Sequence, residues 1–552
     1  MSSAHMIDDL AGRHESDMDD MEYKYELVGL TQERIARLEG QIRWRLNRGG
    51  GECFYVIGIT NEGILRGITR EHYDESVANL RSITASMNAD LNVVEEKIVN
   101  DLIVGRLFIR QVRDDSYTEL RIAVAGNVDG GKSTLCGVLS GGVLDDGRGS
   151  ARTSVFNYTH EINSGRTSSI SQRIMGFSVD GKPIDGGCSK LRKLSWPDIV
   201  ERSSKIVVFV DLAGHQHYLK TTMSGLNSCY PDYAMIVVGA NSGIHRETEK
   251  YSDLSLEHIR MCLMLRIPFF VVLTKIDMCP QDKYKETVST IKRVAKQPGI
   301  DKIPYMVRCQ TDVFNACINF ANGSILPIFS VSNVSGSGLD LLKSFLNYLP
   351  AQENPRKICS PHTHLEVRET FTVAGAGTVV YGSLTGGTIK LGDKLLIGPH
   401  YDGDDHQGKF DEVVVKGLRC KNVPIREAKS GYEVTVALRG YPRANVHRGM
   451  ILVETRDNAL SYWEFDAQIT ISSANASVTV RKGYQAVFYI GSVRQTATIK
   501  EIHGDQTVIG CDGKAHVRVR FTKRPEFVRV GTRLTMREGR TRGFGYVDAV
   551  VE

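Results

Sequence analysis

Apolar and polar positions recur with different periods along the chain, and these periods predict its secondary structure. Between residues 23 and 118, amphipathic helical patterns at 33–45 and 75–89 alternate with apolar runs at 54–59 and 107–109, which are typical of strands. This pattern predicts a small α/β domain over residues 23–118. No chemical motif stands out in it.

The central part of the chain, residues 119–352, repeats a different pattern. Short apolar runs alternate with helical stretches, and the runs lie at 120–125, 205–210, 233–239, 268–274 and 326–331. Strands that alternate with helices in this way are typical of βαβ units. We therefore expect a parallel sheet wrapped by helices.

Helical periodicity nearly disappears after residue 350. Short strand-like runs and glycine-rich turns fill residues 375–396 and 465–550, and such spacing is typical of β-barrels. The predicted fold is therefore multidomain, with a small N-terminal α/β domain, a central α/β domain and two barrels at 361–457 and 463–552. Residues 1–22 are acidic and are predicted to form a disordered tail.

Composition supports this organisation and excludes some classes of protein. A chain of 552 residues, 41% hydrophobic and 24% charged, is too long for one core and is typical of multidomain globular proteins. No uninterrupted apolar run could span a bilayer, so we expect no membrane partner. The eleven cysteines are scattered without a C-x-x-C pair, and the first thirty residues lack a basic-then-apolar signal. We therefore expect a cytoplasmic protein with reduced thiols.

The net charge of +5 is too small to indicate nucleic-acid binding, but its distribution is informative. Residues 461–552 alone carry a basic excess as large as that of the whole chain. Dense Lys and Arg attract phosphates without reading sequence. The candidate phosphate contacts are Arg518, Arg520, Lys523, Arg524, Arg529, Arg533, Arg537, Arg540 and Arg542. Aromatic residues interleaved with them could stack on bases or fill the barrel core; they are Tyr484, Phe521, Phe527, Phe544 and Tyr546.

The most specific motif is G-N-V-D-G-G-K-S at residues 126–133, which follows an apolar run and precedes a helical pattern. Glycines let backbone N–H groups turn towards a β-phosphate, Lys132 reaches the β- and γ-phosphates, and the Ser133 hydroxyl can bind Mg²⁺. The residues expected to contact phosphates are Asn127, Val128, Asp129, Gly130, Gly131, Lys132, Ser133 and Thr134.

A D-x-x-G element, Asp211 to Gly214, follows the next predicted core strand. An aspartate at the carboxyl end of a buried strand is well placed to support Mg²⁺, and the glycine N–H can meet a γ-phosphate. Alone this motif occurs by chance in many chains. Its position at the end of a core strand makes it a candidate nucleotide element.

Two further elements concern the base. Thr274, Lys275 and Asp277 follow a predicted strand, and the Asp277 carboxylate could accept hydrogen bonds from the N1–H and 2-amino groups of guanine. The usual motif is N-K-x-D, and Thr274 keeps a hydroxyl but loses the amide. Ser332, Asn333 and Val334, after the last strand, could offer their backbone to the guanine carbonyl oxygen. The four elements in this order predict a GTPase, because an ATP-binding phosphate-loop protein would not need Asp277.

These motifs resemble those of the translational GTPases, such as elongation factor Tu and eukaryotic elongation factor 1 alpha. The segments G-N-V-D-G-G-K-S-T-L, D-L-A-G-H-Q-H-Y-L-K-T-T and T-K-I-D-M-C-P carry the resemblance. It is strongest to the eukaryotic GTP-binding protein 1 and 2 family and extends over nearly the whole chain after residue 22. Further matches lie at 55–58, 165–169, 332–336, 377–380 and 537–541.

The resemblance implies roles for particular residues. His215, directly after Gly214, would orient the attacking water, although His217 is a nearby alternative. Thr167 would close on Mg²⁺ as switch I, with Ser168 and Ser169 as alternatives. Asp129 would help to bind a monovalent cation, or it caps a local turn. Val128 and Ile170 would gate His215, or they are ordinary packing residues; Ala213 replaces the proline that is common at its position.

The resemblance also implies a function. The protein would bind GTP or GDP, hydrolyse GTP, and act in translation elongation on the ribosome while binding aminoacyl-tRNA or another RNA. The additional N-terminal domain favours an alternative, a GTP-regulated adaptor in ribosome-stalling surveillance and exosome-linked mRNA turnover. A third hypothesis, a GTPase subunit that drives a metabolic enzyme, has no second catalytic motif to support it.

Overall fold

The structure is a computed structural model, and it describes most of the chain. The described residues are 21–551 except 112–116, 154, 157–160, 162–166, 168, 185–193, 216–217, 245–252, 298, 322, 353–361, 402, 404–407, 456–458, 474–478, 505–506, 512 and 540. Most of the predicted acidic tail lies outside them, as do Gly165, Arg166, Ser168, His217 and Arg540. Within the described part, no helix is long and apolar enough to cross a bilayer.

The N-terminal region is a four-stranded sheet with two helices on one face. Its elements are β1 (Met21–Lys24), α1 (Gln32–Arg48), β2 (Glu52–Ile57), α2 (Arg70–Ser86), β3 (Ala89–Val99) and β4 (Leu102–Gln111). The strand order is β1-β2-β4-β3, with β1 parallel to β2 and the other neighbours antiparallel. An α/β fold was predicted here and is observed.

Several boundaries in this region differ from the prediction. Strand β1 begins at Met21, two residues inside the segment assigned to the acidic tail, because Met21 and Tyr23 pack in the core. Helix α2 begins at Arg70, since the Thr69 hydroxyl accepts the His72 N–H at 3.4 Å and caps it. It ends at Ser86, because the chain from Ala89 pairs with β4. Strand β3 was missed because polar residues make up nearly half of its sequence and interrupt the apolar pattern.

The central domain is an eight-stranded sheet of order β11-β12-β10-β9-β5-β8-β6-β7. Its strands are β5 (Thr118–Gly126), β6 (Ser171–Phe177), β7 (Pro183–Ile184), β8 (Lys205–Asp211), β9 (Tyr233–Gly239), β10 (Phe269–Thr274), β11 (Ile303–Met306) and β12 (Ile325–Ser330). Its helices are α3 (Lys132–Gly141), α4 (Ser150–Thr153), α5 (Trp196–Arg202), α6 (Leu219–Ser228), α7 (Leu254–Met264), α8 (Gln281–Ala295), α9 (Gln310–Ala321) and α10 (Leu339–Tyr348). Six strands are parallel as predicted, whereas β6 and β7 form an antiparallel edge.

Two six-stranded barrels follow. The first closes through β16-β21-β13-β14-β20-β17 and a β16–β17 pairing; the second closes through β22-β27-β25-β24-β28-β29. The strands are β13 (His364–Val373), β14 (Gly377–Gly386), β15 (Thr388–Lys390), β16 (Lys394–His400), β17 (Lys409–Cys420), β18 (Val423–Pro424), β19 (Glu427–Lys429), β20 (Glu433–Leu438), β21 (Ile451–Glu454), β22 (Glu464–Ser473), β23 (Val480–Arg481), β24 (Gln485–Ile490), β25 (Val493–Ile502), β26 (Val508–Ile509), β27 (Lys514–Phe521), β28 (Arg533–Glu538) and β29 (Thr541–Val551). The predicted fold class is therefore confirmed.

The N-terminal domain docks on the central domain through both apolar and charged contacts. Phe54 and Phe108 pack against Phe314 and Tyr348. Beside this cluster the Lys205 ammonium donates to Glu52 at 2.8 Å and is fully buried. Burial lowers the pKa of Lys205 to about 8, although Glu52 acts in the opposite direction. A buried cation held this way makes the docking specific, because moving the domain would leave the charge unpaired.

A buried carboxyl group in the second barrel leads to a prediction about pH. Burial raises the pKa of Glu526 from its ordinary value near 4.5 to about 7, despite a hydrogen bond from Arg524. Between these values the folded state binds more protons than the unfolded state, so the free energy of unfolding falls as pH rises. We expect Glu526→Gln to flatten this dependence and to stabilise the protein at pH above 7 by on the order of 3 kcal/mol.

Midpoints of thermal unfolding at about pH 5 and pH 8 would measure this effect. Glu501→Gln, which removes an exposed carboxylate from the same barrel, is the matched control and should change neither midpoint. Equal pH dependence in Glu526→Gln and the unsubstituted protein would contradict the assignment.

Candidate functional site

The predicted nucleotide elements meet along one edge of the central sheet. The loops after β5, β8, β10 and β12 all start at the carboxyl ends of parallel strands of this sheet, in which β9 lies between β5 and β10. In open α/β sheets this edge is where ligands bind. The phosphate elements lie on β5 and β8, and the base elements lie on β10 and β12.

The loop after β5 has a backbone suited to an anion. Asp129 and Gly131 adopt left-handed φ values of 57° and 87°, and Gly131 precedes α3 without a side-chain cap. The first N–H groups of α3 therefore remain available to a phosphate. Lys132 Nζ donates to the carbonyl of Asn127 at 2.8 Å, which places the ammonium across the loop.

Thr274 lies beneath this loop. It is fully buried, and its hydroxyl donates to the carbonyl of Gly130 at 2.6 Å. A side chain at Gly131 would meet the same hydroxyl at 3.2 Å. Thr274, which occupies the usual asparagine position, therefore connects strand β10 to the phosphate loop through its hydroxyl. This contact does not require a side-chain amide.

Three oxygen-bearing side chains converge next to Lys132. The Ser133 hydroxyl donates to Asp211 Oδ2 at 2.6 Å, and Thr167 Oγ1 lies 2.8 Å from Ser133 Oγ and 3.3 Å from Asp211 Oδ2. The other carboxylate oxygen, Asp211 Oδ1, is buried and has no hydrogen bond to any residue that the structure describes. Hydroxyl and carboxylate oxygens with spare acceptor capacity suit Mg²⁺, so the residues present fit this ion.

Burial opposes both charges of this cluster. It lowers the pKa of Lys132 and raises the pKa of Asp211, while the attraction between the two side chains acts in the opposite direction on each. Neither charge is fully compensated by the protein alone. A phosphate and a divalent cation would supply the missing counter-charges.

His215 lines the same cavity as the phosphate loop. Other lining residues include Val128, Lys132, Thr167 and Gly214. A side chain at Gly214 would collide with the Lys132 ammonium, so only glycine permits this approach. The structure thus brings His215 to the position from which it could face a γ-phosphate.

The base-side residues lie on neighbouring loops. Asp277 is exposed and Lys275 half-buried after β10, while Ser332 and Asn333 are buried after β12. The Ser332 hydroxyl accepts the N–H groups of Val334 and Ser335 at 3.2 and 3.0 Å, which shapes a tight loop. The Asn333 amide oxygen is buried, and it has no hydrogen-bond partner in the described part of the chain.

Three residues at the site were missed from the sequence. Arg152 lines the phosphate cavity, the Asp145 N–H donates to the carbonyl of Asn333 at 2.9 Å, and His258 Nδ1 accepts the N–H of Gly126 at 3.0 Å. Burial lowers the pKa of His258 to about 3, which keeps the ring neutral. Only Arg152 carried a signal, a cation near a phosphate motif; the other two contacts are long-range.

The two residues of the proposed apolar gate, Val128 and Ile170, have different surroundings. Val128 lines the phosphate cavity, whereas Ile170 packs against the core beside Leu212, where a side chain at Gly225 would meet both residues. Ile170 therefore has the packing contacts expected of a core residue, and the gate stays a prediction.

The basic surface of the second barrel is largely neutralised by the protein's own carboxylates. Arg518 binds Asp466 through two bonds of 2.9 Å, and Arg520 binds Glu464 at 2.9 Å. Arg542 is buried against Glu257 of the central domain. Further pairs join Arg524 to Glu526 and Arg529 to Glu366. Phe521 is a core residue at 1% exposure, whereas Tyr546 is 43% exposed. The surface is less basic than its composition suggests.

Comparison with known families matches two regions of the chain. Residues 118–351 match the family described as "Elongation factor Tu GTP binding domain". Residues 377–453 match "Elongation factor Tu domain 2". These regions coincide with the central domain and most of the first barrel.

Similar proteins include GTP-binding protein 1 of Xenopus laevis, 39% identical over 97% of this chain and 79% of that protein. GTP-binding protein 2 of Homo sapiens is also 39% identical, over 97% of this chain and 88% of that protein. Among solved structures, the SelB elongation factor of Methanococcus maripaludis with a GTP analogue has a TM-score of 0.53 at 20% identity, covering 79% of this chain and 80% of its own. A bacterial selenocysteine-specific elongation factor has a TM-score of 0.54 at 20% identity, covering 78% of this chain and 58% of its own.

Proposed function

The chain belongs to the GTP-binding protein 1 and 2 family of elongation factor Tu-like translational GTPases, and we propose that it hydrolyses GTP on the ribosome while binding aminoacyl-tRNA or another RNA. GTP binding and GTPase activity follow from the family itself. The partner, the cargo and the residues that perform each step are what we propose.

In this proposal the loop after β5 holds the phosphates. Lys132 would pair with the β- and γ-phosphates, and the free N–H groups at the start of α3 would bind their oxygens. Ser133, Thr167 and Asp211 would hold Mg²⁺, which when bound neutralises the charge of the transferring phosphoryl group. Asp129 would contribute to a monovalent cation site beside the same loop.

His215 would orient the attacking water. Its ring lies 6.1 Å from that of Tyr218 in the first turn after the D-x-x-G element, and it faces the phosphate cavity. Positioning and electrostatic stabilisation provide most of the catalysis in phosphoryl transfer. A single well-placed imidazole would therefore be sufficient to control the rate.

Guanine selection would rest on Asp277, with Lys275 packed along the base. Backbone groups of Ser332, Asn333 and Val334 would meet the guanine carbonyl oxygen from the adjacent loop. The carboxylate selects guanine because adenine lacks the paired N1–H and 2-amino donors.

A series of hydrogen bonds connects the region after Thr167 to the first barrel, and it supports a switch that acts on cargo. Strand β6 begins at Ser171, four positions after Thr167. Its Gln172 accepts the hydroxyl of Tyr381 in the first barrel at 2.9 Å and donates to Glu433 at 3.0 Å. Although burial alone would raise the pKa of Glu433, Arg121 and Arg368 hold it below its ordinary value. Movement of Thr167 after phosphate release would therefore disturb an ionic interface between the central domain and the barrel.

GTP hydrolysis stimulated by ribosomes, measured with and without charged tRNA, tests the proposed function. We expect ribosomes to accelerate hydrolysis and charged tRNA to raise the rate further, whereas uncharged tRNA should not. Stimulation by ribosomes that is indifferent to charged tRNA would favour the adaptor hypothesis, with mRNA-decay machinery as the partner. Absence of any ribosome effect would contradict both.

The adaptor hypothesis has one structural observation in its favour. The N-terminal domain lies outside the two matched elongation-factor families and presents Trp44 at 45% exposure on α1. Exposed tryptophans are enriched in binding surfaces. The domain is thus available for a partner that simple elongation factors do not bind, and action in the cytoplasm would suit either hypothesis.

A further inference from the structure

A cavity of about 600 Å³ lies where the central domain and both barrels meet. The central domain contributes Tyr230 and Arg266, the first barrel contributes Thr385, and the second barrel contributes Arg529 and Arg533. Its size falls within the range of small-molecule sites, roughly 300–1,000 Å³. It is separate from the nucleotide site, with which it shares no lining residue.

Three arginines line this cavity, and the protein holds two of them by contacts between domains. Arg529 donates to the Thr385 hydroxyl at 3.2 Å and lies 3.6 Å from Glu366. Arg533 donates to the carbonyl of Leu265 at 2.7 Å, at the end of α7. Both guanidinium groups are therefore oriented before any ligand arrives, which reduces the entropy cost of binding one.

The positive charge is only partly offset. Within the described residues, neither Arg266 nor Arg533 has a carboxylate within 4.0 Å. Burial lowers the pKa of Arg533, and the nearby charge of Arg266 lowers it further. Asp232 also lines the cavity, but its carboxylate accepts the backbone N–H of Arg121 at 2.7 Å.

The remaining lining is partly apolar and partly polar. Its apolar residues are Leu226, Leu265, Ile267, Pro268 and Val530, and its polar residues include Asn227, Gln352 and Thr532. Guanidinium groups bind the oxygens of phosphate, sulfonate or carboxylate groups in a fixed geometry. An apolar wall next to them suits a hydrocarbon or ring system that carries the anionic group.

We propose that this three-domain cavity binds an organic anion that combines an oxyanion head with an apolar or aromatic body. The head would lie between Arg266 and Arg533, and the body would lie against Leu265, Ile267 and Pro268. Because one ligand would contact all three domains, its binding would stabilise their present arrangement. This inference does not depend on the proposed ribosomal function.

Fluorescence titration of the full-length, GDP-loaded protein with anilinonaphthalene sulfonate tests the proposal. This probe carries a sulfonate on an aromatic body and becomes fluorescent in apolar sites. We expect Arg266→Gln to weaken its binding about tenfold, as for loss of one charged hydrogen-bonding contact. Arg266→Lys should retain affinity within about threefold. Arg266 is the position of choice because Arg533 also tethers the second barrel to α7.

Arg308→Gln is the matched control, since it removes an exposed arginine of the central domain that does not line this cavity. It should leave the affinity unchanged. The neutral N-phenylnaphthylamine should bind more weakly than the sulfonate and should not respond to Arg266→Gln. Added salt should weaken binding of the sulfonate probe but not that of the neutral probe, and this measurement needs no variant. Equal affinity for the two probes, or for the unsubstituted protein and Arg266→Gln, would overturn the proposal.

Discussion

His215→Ala is expected to leave GTP affinity within about twofold of the unsubstituted protein and to slow ribosome-stimulated hydrolysis by about 10²–10³-fold, as for removal of one preorganised catalytic group. The imidazole lines the cavity beside Lys132 and Thr167, whereas the groups proposed to hold the phosphates are the Lys132 ammonium and the N–H groups at the start of α3. The proposed role is to position water, so binding and catalysis should separate. Single-turnover hydrolysis with saturating ribosomes, alongside equilibrium GTP binding, measures both quantities.

His217→Ala is the matched control for this experiment. It removes the neighbouring histidine and should leave the stimulated rate unchanged. A slow His217→Ala and a normal His215→Ala would reassign the catalytic role to His217. Normal rates in both variants would show that no histidine of this segment takes part in the reaction.

Lys132→Ala is expected to reduce affinity for GTP and GDP by two to three orders of magnitude. Removing one partner of a buried ion pair costs about 3–5 kcal/mol, and each 1.4 kcal/mol corresponds to a tenfold change in affinity. The ammonium is buried and spans the loop to the carbonyl of Asn127. The protein itself should remain folded, because burial already disfavours this charge in the absence of phosphate.

Thermal unfolding in the presence and absence of GDP tests whether Lys132→Ala remains folded and whether it has lost nucleotide binding. GDP should raise the melting temperature of the unsubstituted protein but not that of Lys132→Ala, whereas both should unfold at similar temperatures without nucleotide. Lys220→Ala, on the exposed side of α6, should behave like the unsubstituted protein. Retention of the GDP-induced shift in Lys132→Ala would contradict the assignment.

Much of the central domain was predictable because its strands are continuous apolar runs. The expected strand over 233–239 coincides with β9, and the run at 205–210 is extended by one residue in β8. Strands that are nearly half polar, such as β3, were not predicted, because their alternation of apolar and polar residues is irregular. In β3 a bulge between Val93 and Glu95 shifts the register of its pairing with β4. The antiparallel strand β6, which lies between β8 and β7, was missed for a similar reason, since Gln172 and Arg173 interrupt its apolar pattern.

In the functional site, too, some residues could be predicted from the sequence and others could not. Residues within a motif, such as Lys132 and Ser133, could be selected from the sequence because a few neighbouring positions specify their geometry. The hydrogen bond from the Gly126 N–H to His258, 132 residues away, could not be predicted from the sequence. The surface of the second barrel is also less basic than the sequence predicted, because composition gives the number of charges but not which arginines pair with carboxylates.

The sequence by itself determined the fold class, the order of the nucleotide motifs and the family. These properties depend on local patterns, in which a strand is followed by a loop of defined length and residue type. Only the tertiary structure decided that Thr274 supports the phosphate loop, that Arg542 pairs with Glu257, and that three arginines meet around a cavity. Such contacts join residues far apart in the chain, and their partners are selected by packing and charge in three dimensions, which no local pattern records.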